Sequence, residues 1–180
     1  MALIRNRNIN VLIDAETLAA RNDALADEIA QSGADNLLVI AVLKGSFIFA
    51  ADLVRSLHKS GMSPEIEFIT LSSYGTDTKS SGTVRIVRDI ESDVAGRNVL
   101  LIDDILESGR TISFAKDLML GRGALSAQIA VLLDKTGKRT ADITADYVGF
   151  ECPDYFVVGY GMDVAHAYRE LPFVGVVADD

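Results

Sequence analysis

The stretch NVLLIDDILESGRTISFAK, residues 98–116, decides the fold of this chain. Its first half is an apolar run that ends in Asp103 and Asp104, and a third acid, Glu107, follows shortly. A short apolar run without a polar face is typical of a strand buried in a parallel sheet. The turn after these acids consists of Ser108, Gly109, Arg110 and Thr111. Helical spacing over residues 111–120 then completes a strand, an acid-rich turn and a helix.

The same alternation runs through the rest of the chain. Helical spacing predicts a helix over residues 15–32, with Asp14 as N-cap and Gly33 as stop, and another over residues 46–61. Further strands are predicted at residues 36–43, 65–75, 83–90, 127–134, 147–150, 156–160 and 174–177. Strands that alternate with helices favour an α/β fold, an open, mostly parallel twisted sheet with helices on both faces. The length fits one domain, residues 1–180.

Composition argues against several classes of function. The 26 acidic residues outnumber the 17 basic ones, and the formal net charge of −9 opposes the phosphate backbone of a nucleic acid. The longest uncharged run, residues 123–133, is shorter than the ~20 apolar residues that span a membrane. Cys152, the single cysteine, cannot form an internal disulfide, and the two histidines show no zinc-ligand spacing. We expect a cytoplasmic protein that binds neither nucleic acid nor membrane.

In a parallel sheet of this kind, ligands bind at the carboxyl ends of the strands. The loops after Leu43, Ile105 and Leu133 are therefore the candidates for a site. Residues 108–111 begin a helix, where unpaired backbone N–H groups and the positive end of the helix dipole attract anions. Such a turn suits a phosphate monoester. The alternative is a helix start that Ser108 caps, with no ligand.

The acids before this turn narrow the choice of ligand. Asp103 and Asp104 would repel each other and any phosphate, unless a cation or a hydroxyl-rich group separates them from the ligand's charge. A sugar diol or Mg²⁺ meets that need, and the alternative is a pair of solvated loop acids. Standard nucleotide sites are disfavoured, because the chain has no Gly-x-x-x-x-Gly-Lys-Ser/Thr motif and its Gly-x-Gly pairs lack the third glycine. A phospho-acceptor receiver domain would carry its acid pair on the first strand.

The motif after the strand consists of two acids, two apolar residues, a third acid and Ser-Gly-x-Thr. In this motif the chain resembles the phosphoribosyltransferases that bind phosphoribosyl pyrophosphate (PRPP). Among these, the chain is similar to the hypoxanthine phosphoribosyltransferases. The segments VLKGSFIFAADL, SSYG, LLDKT, DYVGFECPDYFVVGYGMD and YRELPFVGVV continue the match in the right order. The resemblance implies a small hood of chain-terminal segments beside the main sheet, Mg²⁺ as cofactor, and a homodimer or homotetramer.

By this resemblance, PRPP is bound by separate groups of residues. The ribose 2′ and 3′ hydroxyls meet Asp103 and Asp104. The 5′-phosphate lies in the turn made by Glu107, Ser108, Gly109, Arg110 and Thr111. The pyrophosphate contacts Lys44, Gly45 and Arg169. Mg²⁺ is held by Asp163 together with Asp103 and Asp104, and the lid consists of Ser73, Tyr74 and residues 75–82.

The resemblance also assigns the purine site. Lys135 donates to the 6-oxo group, Phe156 stacks on the ring, and the 2-position lies near the Val157 backbone and Asp163. Read alone, Lys135 would be a solvated turn lysine and Phe156 a core residue.

One position departs from the family pattern. The third acid is usually Asp, but Glu107 stands here, in the role of the group that shares the proton of purine N7. The implied activity is purine salvage, the transfer of 5-phosphoribose from PRPP to N9 of hypoxanthine, with use of guanine left open. The alternatives are a non-catalytic regulator that senses PRPP or a nucleotide, and a xanthine-preferring relative.

Overall fold

The computed structural model describes residues 8–73 and 84–178. Its helices are α1 (Ala15–Gln31), α2 (Phe47–Lys59) and α3 (Arg110–Gly121), with a 3-10 turn at Thr136–Lys138. Its strands are β1 (Ile9–Ile13), β2 (Leu37–Leu43), β3 (Glu65–Ser73), β4 (Val84–Arg88), β5 (Asn98–Leu106), β6 (Ser126–Asp134), β7 (Tyr147–Glu151), β8 (Val157–Val158) and β9 (Val174–Val177). Each predicted helix and strand is present, whereas β1 and the 3-10 turn were not predicted.

The main sheet has six strands in the order β4-β3-β2-β5-β6-β7. All neighbours run parallel except β4, which lies antiparallel to β3 at the edge. The chain moves outward from β2 to β3, and β5 then joins the opposite side of β2, so the winding reverses between β2 and β5. A ligand crevice forms where the winding reverses, at the carboxyl ends of the strands. The predicted α/β sheet is confirmed.

Helices cover both faces of the main sheet. α1 and α2 pack against one face, where Leu25 and Leu53 are fully buried, and α3 packs against the other through Ile112. Because both faces are covered, β2 has no alternating polar positions and its residues are almost all buried. Asp14 caps α1 as predicted, since its carboxylate accepts a hydrogen bond from Thr17 N at 2.8 Å.

A second, three-stranded sheet joins the two ends of the chain. Its strands lie in the order β1-β9-β8, and both neighbouring pairs are antiparallel. This sheet is the expected hood of chain-terminal segments. Of the three short strands predicted near the C-terminus, β7 lies at the edge of the main sheet, whereas β8 and β9 lie in the hood. No helix in the described ranges is long and apolar enough to cross a membrane.

Candidate active site

A cavity of about 270 Å³ opens at the carboxyl ends of β2 and β5, where the winding of the sheet reverses. The turn after β2 contributes Lys44 and Gly45, and the end of β5 contributes Asp103 and Asp104. The helix-start turn, residues 107–111, and the first turn of α3 complete the wall with Glu107, Ser108, Gly109, Thr111 and Ile112. The cavity thus unites most of the residues that the resemblance assigns to PRPP.

Asp103 and Asp104 lie side by side at the end of β5, partly buried and facing the cavity. Burial raises the pKa of both carboxyls, and the negative charge of Asp104 raises the pKa of Asp103 further. Within the described ranges, neither carboxylate forms an ion pair. The N–H groups of Asp104 and Ile105 donate to Asp103 Oδ1 at 3.0 Å and Asp104 Oδ1 at 2.9 Å, respectively. The acid pair is therefore held in an unfavourable arrangement that hydroxyl donors or a cation would relieve.

The turn after β2 brings its backbone close to these acids. A β-carbon on Gly45 would overlap the carboxylate of Asp104, so the turn requires glycine here. The peptide bond between Leu43 and Lys44, which leads into the turn, is cis. The Lys44 side chain is exposed, which leaves its ammonium group available to an anionic ligand at the cavity.

The helix-start turn carries backbone donors without partners. The N-cap of α3 is Gly109, in the left-handed conformation with φ +81°, and no side chain caps the helix. The Ser108 hydroxyl accepts only a long hydrogen bond, 3.4 Å, from Arg110 N. Among the hydrogen bonds of the described residues, none has the N–H of Glu107, Ser108, Gly109, Thr111 or Ile112 as its donor. The alternative of a helix simply capped by Ser108 is therefore not supported, and the free donors suit an anion.

Arg110, unlike the rest of the helix-start turn, does not line the cavity. Its side chain is exposed, and Arg110 Nε donates to Thr140 Oγ1 at 3.2 Å. The guanidinium is therefore directed toward the loop after β6, and any contribution of Arg110 to the cavity comes from its backbone.

Glu107 lines the same cavity, with its side chain 44% exposed. Its carboxylate lies near a cation that was not predicted, since Lys138 Nζ is 3.8 Å from Glu107 Oε1 and 2.8 Å from Asp154 Oδ1. These ion pairs hold the pKa of Lys138 above its usual range, and the hydrogen bond that Lys138 donates to Asp154 contributes most. Glu107 is thus accessible from the cavity, as a group that exchanges a proton with a ligand must be.

The residues assigned to the purine lie beside the cavity rather than in its wall. Lys135 is only 7% exposed, and Lys135 Nζ donates to the Tyr155 carbonyl at 2.6 Å. Phe156 is 60% exposed, whereas Val157 is buried and pairs with Val176 in the hood. Lys135 is therefore no solvated turn lysine, and Phe156 is no core residue. A buried ammonium with spare donors and an exposed ring are the groups that a planar, carbonyl-bearing ligand would use.

Arg169 and Asp163 form an ion pair next to the turn after β2. Arg169 Nη2 lies 2.6 Å from Asp163 Oδ1, and Arg169 Nη1 donates to the Gly161 carbonyl at 2.6 Å. Gly161 in turn packs on Gly45, because a β-carbon on Gly161 would overlap the Gly45 carbonyl. The positive field of Arg169 also reaches Asp104, where it partly offsets the rise in pKa that burial causes.

The protein side chains alone do not form a complete metal site. In residues 8–73 and 84–178, no group of three or more His, Cys, Asp or Glu side chains is arranged to hold a metal. Asp163, one predicted metal ligand, is already bonded to Arg169 and accepts from His166 N at 2.7 Å. Mg²⁺ commonly binds one or two carboxylates together with substrate phosphates and water. Asp103 and Asp104 fit that pattern, since they are oxygen donors with excess negative charge.

The lid prediction lies mostly outside the described residues. Ser73 ends β3, and Tyr74 and residues 75–82 fall in the gap between the two described ranges. The assignment of these residues to a lid stays a prediction.

Sequence reasoning missed the loop after β6, apart from Lys135. Lys138 approaches Glu107, and Arg139 donates hydrogen bonds to the backbone of Leu106 and Glu107. The one available signal was the spacing, because both cations follow Lys135 within four residues at a strand end that faces the crevice.

Comparison with known proteins agrees with this geometry. The phosphoribosyl transferase domain family matches residues 11–165. The chain therefore belongs to the phosphoribosyl transferase family, an assignment that the acid pair and the open helix start had indicated.

Several similar proteins within the family are named hypoxanthine-guanine phosphoribosyltransferases. A hypoxanthine-guanine phosphoribosyltransferase of Bacillus subtilis (strain 168) is 45% identical over 168 residues, which cover 93% of this chain and 92% of that protein. One from Aquifex aeolicus is 42% identical, over 99% of this chain and 100% of its own. The crystal structure of a hypoxanthine-guanine phosphoribosyltransferase from Bacillus anthracis superposes with a TM-score of 0.89 at 42% identity, covering 95% of this chain and 100% of its own.

Proposed function

We propose that this phosphoribosyltransferase transfers 5-phosphoribose from PRPP to N9 of hypoxanthine, and also of guanine, releasing the nucleoside monophosphate and pyrophosphate. One observation carries the proposal: in the part of the chain that the structure describes, a single cavity holds two carboxylates without an ion pair, next to a helix start with free backbone donors. The names of the relatives support the choice of base. The reaction is one of purine salvage, and we expect it in the cytoplasm.

The charges in the cavity favour one orientation of PRPP. Its 5′-phosphate goes to the helix-start turn, where free N–H groups and the helix dipole favour negative charge. The ribose 2′ and 3′ hydroxyls then donate to Asp103 and Asp104. These hydrogen bonds stabilise the two neighbouring carboxylates, which burial and mutual repulsion otherwise disfavour. The reverse orientation would put a phosphate against two carboxylates. Asp103 and Asp104 therefore set the orientation of the ribose as well as binding it.

The same acids favour the chemical step. As the bond from C1′ to pyrophosphate breaks, the sugar becomes oxocarbenium-like, and positive charge develops on the ring above Asp103 and Asp104. Fixed negative charge aimed at developing positive charge stabilises a transition state without reorganisation. Glu107 lines the cavity, and its carboxylate accepts the proton of purine N7 while N9 bonds to C1′.

The purine is bound by the neighbouring groups. Lys135 Nζ, buried and bonded to one carbonyl, has donors left for the purine 6-oxo group. The exposed Phe156 ring stacks on the base, and the Val157 backbone lies opposite the 2-position. Because Lys135 donates rather than accepts, it favours a 6-oxopurine over a 6-aminopurine.

The pyrophosphate and Mg²⁺ take the remaining positions. Lys44, the Gly45 backbone and Arg169 supply positive charge and donors to the pyrophosphate. Asp103, Asp104 and Asp163 would hold Mg²⁺, which would supply positive charge against the pyrophosphate. We also expect a homodimer or homotetramer, and a lid formed by Ser73, Tyr74 and residues 75–82 that excludes water from the cationic sugar.

Steady-state turnover with hypoxanthine, guanine and xanthine, each at fixed PRPP and Mg²⁺, tests the proposal. We expect nucleoside monophosphate and pyrophosphate in equal amounts from hypoxanthine and from guanine, and much slower turnover of xanthine. Turnover of xanthine alone would make the base assignment wrong and leave the reaction type standing. Tight PRPP binding without any product would instead make the protein a PRPP-sensing regulator.

A further inference from the structure

The loop after β6 supports the helix-start turn through Arg139. This supporting loop, residues 135–143, runs beside the turn but does not line the cavity. The Arg139 guanidinium donates to four acceptors: the carbonyls of Leu106 (3.2 Å), Glu107 (3.0 Å) and Ile143 (2.7 Å), and the Asp134 carboxylate. Arg139 therefore connects the end of β6, its own loop and the first residues of the helix-start turn.

The next carbonyl of the turn is also bonded to the supporting loop. Ser108 O accepts from Thr140 N and Ala141 N, each at 3.0 Å, and from Thr140 Oγ1 at 3.2 Å. A β-carbon on Gly109 would crowd Ile143, so glycine lets the turn pack directly on the loop. The two segments are thus in contact along their backbones.

The donors and acceptors of the turn are divided between two sides. The carbonyls of Leu106, Glu107 and Ser108 all accept from the supporting loop. The N–H groups of residues 108, 109, 111 and 112 have no acceptor within the described ranges. A peptide plane that directs its oxygen one way directs its N–H the opposite way. The Ser108 and Gly109 N–H groups share their peptide planes with the carbonyls of Glu107 and Ser108, so the hydrogen bonds to these carbonyls aim those two N–H groups at the cavity.

We propose that Arg139 is a positioning residue for the 5′-phosphate: it holds the start of the helix-start turn so that the Ser108 and Gly109 N–H groups face the ligand, and it does not touch the ligand itself. The proposal rests on the proposed function, since it takes the anion to be the 5′-phosphate. A guanidinium is needed, because its five donors lie in one plane and reach several fixed acceptors at once. A lysine at position 139 would keep the charge but could satisfy fewer of these acceptors.

The test compares binding of inosine 5′-monophosphate with that of inosine, by calorimetry, in the wild type and in R139Q. The ratio used is the dissociation constant of inosine divided by that of inosine 5′-monophosphate. It measures what the phosphate alone contributes to binding. We expect R139Q to lower this ratio about tenfold or more, because the donors to a charged group lose their alignment. The dissociation constant of inosine should change less than about threefold, since Glu107 is the one residue of the turn assigned to its base and none is assigned to its ribose.

Two further variants make the result decisive. R122Q is the matched control, because Arg122 also makes a tight ion pair, 2.5 Å from Asp89, but at the opposite end of α3. It should leave the ratio unchanged. R139K should lower the ratio by less than R139Q does, and R139K replaces R139Q in the test if R139Q does not fold. Equal losses for inosine and its monophosphate, or an unchanged ratio, would overturn the role of Arg139. A wild-type ratio near one would instead overturn the proposed phosphate site, and the inference with it.

Discussion

The backbone of Gly45 lies against the carboxylate of Asp104, at a distance that leaves no room for a β-carbon. The turn that we assign to pyrophosphate and the acid that we assign to ribose therefore fix each other's position. They come from strands far apart in sequence, β2 and β5, which are neighbours in the sheet. In the proposed site, the two ends of the bond that breaks in PRPP would therefore be bound by groups in direct contact.

Replacing Gly45 by alanine should disable the enzyme through Asp104. The added methyl must displace the Asp104 carboxylate, and a displacement of about 1 Å at a catalytic group can cost ~100-fold in rate. We expect G45A to lower kcat/KM for PRPP by about that factor. G121A is the control, because a β-carbon on Gly121 meets nothing within 4 Å. Wild-type kinetics in G45A would show that Asp104 needs no fixed position.

Asp103 should cost the ligand-free protein stability. Its folded-state pKa lies above the ordinary 3.8, so above about pH 4 the folded protein binds more protons than the unfolded chain, and its stability falls as pH rises. Asparagine cannot ionise, so D103N should melt at a higher temperature than the wild type near pH 7, and the difference should vanish toward pH 4.

Calorimetry of both proteins between pH 4 and pH 8 measures this difference. D103N should also bind PRPP more weakly, which separates stability from function. A lower melting temperature for D103N across the whole range would mean that the ionised pair does not oppose folding.

Glu107 should matter for the chemical step more than for binding. We expect E107Q to lower turnover by about 10²–10⁴-fold, the usual contribution of general acid–base catalysis, with little change in PRPP affinity. The contrast between kcat and the dissociation constant of PRPP is the measurement. Unchanged turnover would remove Glu107 from the mechanism, whereas an equal loss of PRPP affinity would give it a binding role instead.

Lys135 should act on the base and not on PRPP. Its Nζ is buried and has a single acceptor among the described residues, so K135M removes the donor to the purine 6-oxo group while keeping an unbranched apolar side chain. Hydrogen bonds to charged groups contribute ~1.5–3 kcal/mol, so the KM for hypoxanthine should rise roughly 10–150-fold. K59M is the control, because Lys59 is exposed and pairs with Asp23 on the helix face. A rise in the KM for PRPP of the same size would contradict the assignment.

The sequence predicted the parts of the site that are local. The apolar run into Asp103 and Asp104 identified a buried strand, because both faces of β5 are covered. The helix after Gly109 followed from spacing alone. Parallel strands then placed the turn after β2 beside the acids, through the general rule that ligands bind at the carboxyl ends.

Contacts between distant segments were not predictable in the same way. The bonds of Arg139 to Leu106 and Glu107 depend on the path of a loop, and no periodicity encodes that path. β1 was missed because its five residues are mostly exposed and pair with β9 at the other end of the chain. That the chain forms one domain, and that residues 73–82 close over the site, stay predictions.

The most direct test is a crystal structure of the protein with PRPP and Mg²⁺ bound. The account predicts the ribose 2′ and 3′ hydroxyls within hydrogen-bond distance of the Asp103 and Asp104 carboxylates. It also predicts the 5′-phosphate on the free N–H groups of the helix-start turn. A structure with both carboxylates directed into solvent, and with the phosphate bound anywhere but at the start of α3, would contradict it.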